Sequence, residues 1–146
     1  MSIEFGLDTF GDITRDSDGE LLTGAQTIRN VVAQAEMADR VGVDFFGVGE
    51  HHRSEFAISA PEMVLAAIPA RTERIRLGTG VLVPSNRIAP VAANALATLN
   101  QLAPGRIDFG VGTGFTARRA MGFGAIKVKD METYIHQVYG LLRRKT

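Results

Sequence analysis

Within "FFGVGEHHR", residues 45–53, a strand-like apolar run gives way to Glu50, His51 and His52, which hold two of the three histidines in the 146-residue chain. Imidazole can donate or accept a hydrogen bond, exchange a proton near neutral pH, or ligate a metal. A metal site needs at least a third convergent ligand. The remaining histidine, His136, falls deep in a segment of helical period, and the chain has no cysteine, so no metal site is expected. Glu50 and His51 are therefore read as candidates for proton handling. Successive residues of extended chain point to opposite sides, and His51, more than His52, is expected to face a ligand.

Glycines form the second group of candidates. "GVGTGF", residues 110–115, lacks the last glycine of the dinucleotide fingerprint because Phe115 stands in its place. Gly112 and Gly114 can either make a turn or let a flat ring or a phosphate approach the backbone. In "LGTGVLVP", residues 77–84, a glycine pair inside a β-branched run points to a bulge or a close ligand contact.

These residues need elements that carry them to one place. Strand-like runs cover residues 3–8, 44–49, 75–83 and 106–112, and segments of helical period cover 23–41, 60–71, 89–102 and 130–143. The expected helix faces are Ile28, Val31, Ala35 and Ala38; Val64, Ala67 and Ile68; Ala92, Ala95, Leu96 and Leu99; and Ile135, Val138 and Leu142. Gly42 ends the first helix, Ser59 and Pro61 open the second, and Pro104-Gly105 follows the third. The last three strands start 31 residues apart, at Asp44, Ile75 and Arg106, about one βαβ repeat. This alternation predicts an α/β chain, either a (β/α) barrel or a doubly wound sheet. Both place ligands at the carboxyl ends of the strands, where Asp8 and Thr9, Glu50, His51 and His52, the run from Gly78 through Gly80 to Val81, and Gly112, Thr113 and Gly114 would meet.

Sixteen basic and sixteen acidic residues balance, so there is no long-range field of the kind that draws nucleic acid or anionic membranes. No segment approaches membrane-spanning length, and the start lacks a basic region followed by an apolar run. A single domain over residues 1–146, soluble and cytoplasmic, is the expectation.

The chain resembles the bacterial luciferase-like family of flavin- and deazaflavin-dependent oxidoreductases. The matching stretches are "FGVGEHH", "IRLGTGVLVP", "APVAANALATLNQLAPGRIDFGVGTGF", "MGF" and "YIHQVYGLL". The resemblance implies a (β/α)8 barrel of the TIM type, with His51 as the catalytic histidine beside the flavin and Glu50 next to it. It implies a non-prolyl cis peptide at Gly80-Val81 against the cofactor ring. FMN is the implied cofactor and a deazaflavin the alternative. The implied activity is oxygen-dependent oxidation of a small organic substrate, or direct hydride transfer if a deazaflavin is used. Gly112 and Thr113 stand where luciferase itself has a reactive cysteine and a basic residue, which argues against light emission. An eight-unit barrel takes about 250 residues, whereas this chain has four strand-helix units. It is read as the amino-terminal half of such a barrel: an enzyme, an enzyme fragment, or a non-catalytic half-barrel that assembles or binds a ligand. A sheet of four parallel strands leaves two unpaired edges, so a homodimer or higher oligomer is expected.

Overall fold

A computed structural model describes residues 3–84 and 86–144. Four parallel strands, β1 (Gly6–Thr9), β2 (Phe45–Val48), β3 (Arg76–Thr79) and β4 (Ile107–Asp108), form one sheet in chain order. Gly6 pairs with Phe45, Phe45 with Arg76, and Leu77 with Ile107. Between the strands run α1 (Gly24–Val41), α2 (Pro61–Ala67) continued by a 3-10 turn (Pro69–Arg71), and α3 (Ala89–Leu102); α4 (Phe115–Ala120) and α5 (Val128–Leu142) follow β4.

Helix α1 begins and ends for local reasons. The hydroxyl of Thr23 accepts the backbone N–H of Gln26, and the Gln26 side chain accepts the backbone N–H of Thr23, a capping box. Gly42, at φ 87°, closes the other end with its N–H on the carbonyls of Ala38 and Asp39. Val31, Ala35 and Ala38 turn inward from α1 and pack with Phe46 and Val48 of β2, Val64 and Leu65 of α2, and Leu77 of β3. A second cluster joins α3 to α5 through Ala92, Ala93 and Leu96 on one side and Tyr134 and Val138 on the other. Alternation along β2 sends Phe46 and Val48 to the helices and Phe45 to the opposite face of the sheet. There the Phe45 ring lies over Gly6 and Gly78, positions where a side chain would press against it.

The end of the sheet away from the candidate site is tied by polar groups. Asp39 of α1 accepts the backbone N–H groups of Glu73, Arg74 and Ile75 at 3.0, 3.0 and 2.7 Å. Burial alone would raise its pKa, yet these hydrogen bonds and the Arg74 charge bring it below 3.8. Arg106 donates to the carbonyls of Thr72 and Ile75, both at 3.1 Å.

Several expectations are corrected. The cap of α2 is Ala60 rather than Ser59, without a side-chain bond; Leu65 is buried where Ala67 was expected, and Ala67 is exposed. Tyr134 and Val138 are the buried residues of α5, whereas Ile135 and Leu142 are half-buried. Residues 115–120, to which the sequence reading gives no element, form α4. The fourth strand keeps two residues of ladder because the Thr79 hydroxyl bonds both the N–H and the carbonyl of Gly110.

Candidate functional site

Beyond Thr79 the third strand leaves its ladder, and the Gly80-Val81 peptide is cis. Regular pairing resumes in a single parallel bridge between Leu82 and Val111. Around this peptide the carboxyl ends of all four strands meet. The backbone N–H of Glu50 donates to the carbonyl of Val81 at 3.2 Å, and Gly49 donates to the Thr9 carbonyl at 2.9 Å. The Asp8 carboxylate lies against Gly47 and Gly80, where a Cβ on either would collide with it. Gly112 lies against the Val81 side chain in the same way. Asp8, Gly80, Val81 and Gly112 thus form one continuous line across the strand ends, with Asp8 exposed and Val81 38% exposed.

The other candidates stand to either side of that line. The Thr9 hydroxyl is taken up by its own loop, accepting the N–H of Gly11 at 3.1 Å. Thr113 accepts the N–H of Ile126 at 3.2 Å. Gly114, at φ 71° and backed by Val83, opens α4.

Glu50 is the buried centre of the site. Its side chain has no exposed surface, and its carboxylate is met by four donors. Oε1 receives Asn86 Nδ2 at 2.5 Å and His52 Nε2 at 2.8 Å. Oε2 receives the backbone N–H of Val83 at 2.9 Å and Arg87 Nη1 at 2.8 Å. That is the full acceptor capacity of a carboxylate. Burial pushes the Glu50 pKa up, but donation from Arg87, Asn86, Val83 and His52 outweighs it and leaves the pKa below 4.5. Arg87 continues the network, placing Nε 2.9 Å from Glu62 of α2. Glu50 therefore holds the end of β2 to the chain that follows β3, and it fixes His52 as an Nε2–H donor.

The two histidines have opposite surroundings. The His51 ring packs against two phenylalanines, its centre 4.5 Å from Phe10 and 4.4 Å from Phe56, whose own centres are 6.1 Å apart, so the three rings form a triangle. Its Nδ1 is buried with no partner among the described residues. Burial lowers the His51 pKa below 6.5; Asp12 acts in the other direction, while His52 and Arg53 reinforce the lowering and Glu50 opposes it. His51 is thus mainly neutral at pH 7.

Asn86, Arg87, Phe10 and Phe56 were not among the candidates read from the sequence. They come from loops without periodicity. The one available signal was a charged residue in "SNRI", between the third strand and third helix, close to an invariably costly buried glutamate only once the fold is known.

Four parallel β/α units with polar groups gathered at the strand ends are the architecture of part of a TIM-type barrel. The luciferase-like monooxygenase family model matches residues 9–144, and the chain belongs to that family. N-acetyl-S-alkylcysteine monooxygenase of Bacillus subtilis (strain 168) is 42% identical over 95 residues, covering 64% of this chain and 28% of that protein. Limonene 1,2-monooxygenase of Rhodococcus erythropolis is 33% identical over 155 residues, covering 100% and 39%. F420-dependent glucose-6-phosphate dehydrogenase of Nocardia farcinica (strain IFM 10152) is 44% identical over 92 residues, covering 59% and 27%. The apo-MsnO8 crystal structure superposes with TM-score 0.82 at 27% identity, over 97% of this chain and 43% of that one. The FMN complex of the oxygenating constituent of 3,6-diketocamphane monooxygenase from Pseudomonas putida shares the fold, with TM-score 0.77 at 24% identity over 97% and 39%. The chain thus spans well under half the length of these relatives. Among the described residues, no helix is long and apolar enough to cross a membrane.

Proposed function

We propose that the strand-end face binds the ring of a reduced flavin, FMN, and belongs to an oxidoreductase that oxidises a small organic substrate with oxygen. The observation that carries this reading is the continuous line of Asp8, Gly80, Val81 and Gly112, to which the Glu50 N–H, just before His51, is joined through the Val81 carbonyl. Val81 offers an exposed apolar surface bordered by glycines and one carboxylate, a surface suited to a flat heteroaromatic ring with a polar rim. Bound there, the flavin would supply the electrons and the site of oxygen chemistry. This chain's residues would do the rest. Asp8 and the backbone around Gly112, Thr113 and Gly114 would orient the ring, with Thr9 shaping the loop at its edge. His51 would meet a reacting oxygen or nitrogen. Phe10 and Phe56 would keep water from it.

Glu50 has all its acceptor positions filled, and its part is to position the strand ends rather than to exchange protons. A deazaflavin in place of FMN is the second reading, favoured by the 44% identity to an F420-dependent dehydrogenase; the reaction would then be hydride transfer. We also propose self-association through the open edge of the sheet, where Ile3, Phe5 and Leu7 are exposed. Titration of the protein with reduced and oxidised FMN and with a deazaflavin, followed by absorbance, tests the cofactor. A perturbed flavin spectrum that saturates is expected, and no change with any of the three would refute the reading.

A further inference from the structure

We infer that Phe10 and Phe56 are positioning residues that hold His51 as its Nε2–H tautomer, so that it presents a hydrogen-bond donor to the carbonyl or anionic edge of a ligand. The role of that ligand rests on the strand-end reading above; the state of the ring does not. This three-ring packing is held by backbone. Asp12 and Phe56 form an antiparallel bridge, flanked by hydrogen bonds from Ala57 N–H to the Gly11 carbonyl at 2.8 Å and from Ile13 N–H to the Glu55 carbonyl at 2.9 Å. This short ladder sets the β1–α1 loop beside the segment that follows the histidines. The His51 N–H donates to the Ile58 carbonyl at 3.0 Å, which fixes the backbone from which the ring projects. Gly49 leaves room for the Phe10 ring, which any side chain there would strike.

With both phenylalanine rings packed against the imidazole and against each other, Nδ1 is closed off from solvent and has no partner among the described residues. A buried N–H without an acceptor is rarer than a buried lone pair without a donor. The proton of the neutral ring therefore belongs on Nε2, and Nδ1 carries the bare lone pair. The ring is neutral because burial outweighs the attraction of Asp12; His52, Arg53 and Glu50 are the other charged or titratable groups that act on it. His52 reaches the same tautomer by a different route, since a carboxylate can only accept the proton on its Nε2. The adjacent histidines thus divide their tasks: His52 donates inward to the protein, and His51 donates outward.

The test is nitrogen NMR of the ligand-free, 15N-labelled protein. With three histidines in the chain, long-range proton–nitrogen spectra separate the rings, and His51→Gln assigns the signal. At pH 7.5 the His51 pair is expected to show a bare Nδ1 and a protonated Nε2, with Nε2–H the majority form. Phe56→Ala and Phe10→Ala each remove one of the two rings packed against the imidazole. Both should shift the tautomer ratio toward a mixture and move the His51 titration midpoint upward, with the backbone spectrum otherwise retained. A substantial Nδ1–H population in the parent protein, or a ratio and midpoint unchanged in both folded variants, would overturn the inference. Adding FMN gives a separate readout. A shift of the His51 Nε2 signal supports donation to the flavin edge, whereas an unshifted signal in a sample whose flavin absorbance shows binding refutes that ligand and leaves the tautomer result standing.

Discussion

Replacing Glu50 with glutamine keeps the volume of the buried side chain and removes its charge. Four donors converge on the carboxylate, two of them on each oxygen. A glutamine can accept at one oxygen and must turn its own amide protons toward the other pair. Hydrogen bonds to a charged group contribute about 1.5–3 kcal/mol each, but they share one carboxylate and do not add. Breaking a buried ion pair by removing one partner costs about 3–5 kcal/mol, with part recovered because the neutral amide is easier to bury. The expected loss is about 3 kcal/mol, or a fall in Tm of roughly 6–12 °C for a chain of this size. Urea and thermal unfolding followed by circular dichroism measure it. Because the folded-state pKa of Glu50 lies below 4.5, its contribution is present above the unfolded value and is lost as pH falls through the folded one. Glu50→Gln should therefore flatten the acid limb of stability below about pH 4.5, while Asp39, also depressed, keeps part of the slope. Glu4→Gln, at an exposed pair with Arg76, should stay within about 1 kcal/mol of the parent. A Glu50→Gln protein within 1 kcal/mol of the parent and with an unchanged acid limb would refute the reasoning.

Leu65→Ala, at a fully buried position between helix and sheet, should lower the unfolding free energy by about 2–5 kcal/mol in urea titrations. Thr23→Ala removes the capping box of α1 and should cost about 1 kcal/mol by the same measurement. Gly42→Ala forces a side chain into φ 87° and should cost about 1–2 kcal/mol. Light scattering at micromolar concentration should give at least twice the chain mass of 15.7 kDa; a monomer that unfolds cooperatively would exclude self-association.

Where local sequence determines local structure, the fold was legible. Helix α3 spans Ala89–Leu102, the range its apolar period and the following Pro104-Gly105 mark, and α1 ends at the glycine that ends its period. The strands were legible in order but not in length. The first ladder starts only at Gly6, with the Phe5 carbonyl accepting the N–H groups of Asp44 and Phe45 just before it, and "RIDFGVGTG" is cut short by a threonine hydroxyl that arrives from β3. Helix α4 has six residues and no repeating apolar face, so periodicity could not signal it. At the site, Glu50 and the histidines were visible because they break an apolar run. Their partners were not, since Phe10 and Arg87 reach them from 41 and 37 positions away in the chain, a proximity that only the parallel packing of successive β/α units creates.

The proposal that the strand ends bind a flavin is tested most directly by backbone proton–nitrogen spectra of the labelled protein during titration with reduced FMN under anaerobic conditions. Saturating shifts are expected at Asp8, Gly80, Val81 and the run from Gly112 to Gly114, with His51 and Phe56 affected beside them. The broad groove of about 510 Å3 between α1 and β1, lined by Met37, Val41 and Val43, should remain unperturbed at its α1 side. Shifts confined to that groove, or none at any site up to millimolar FMN, would contradict the proposal.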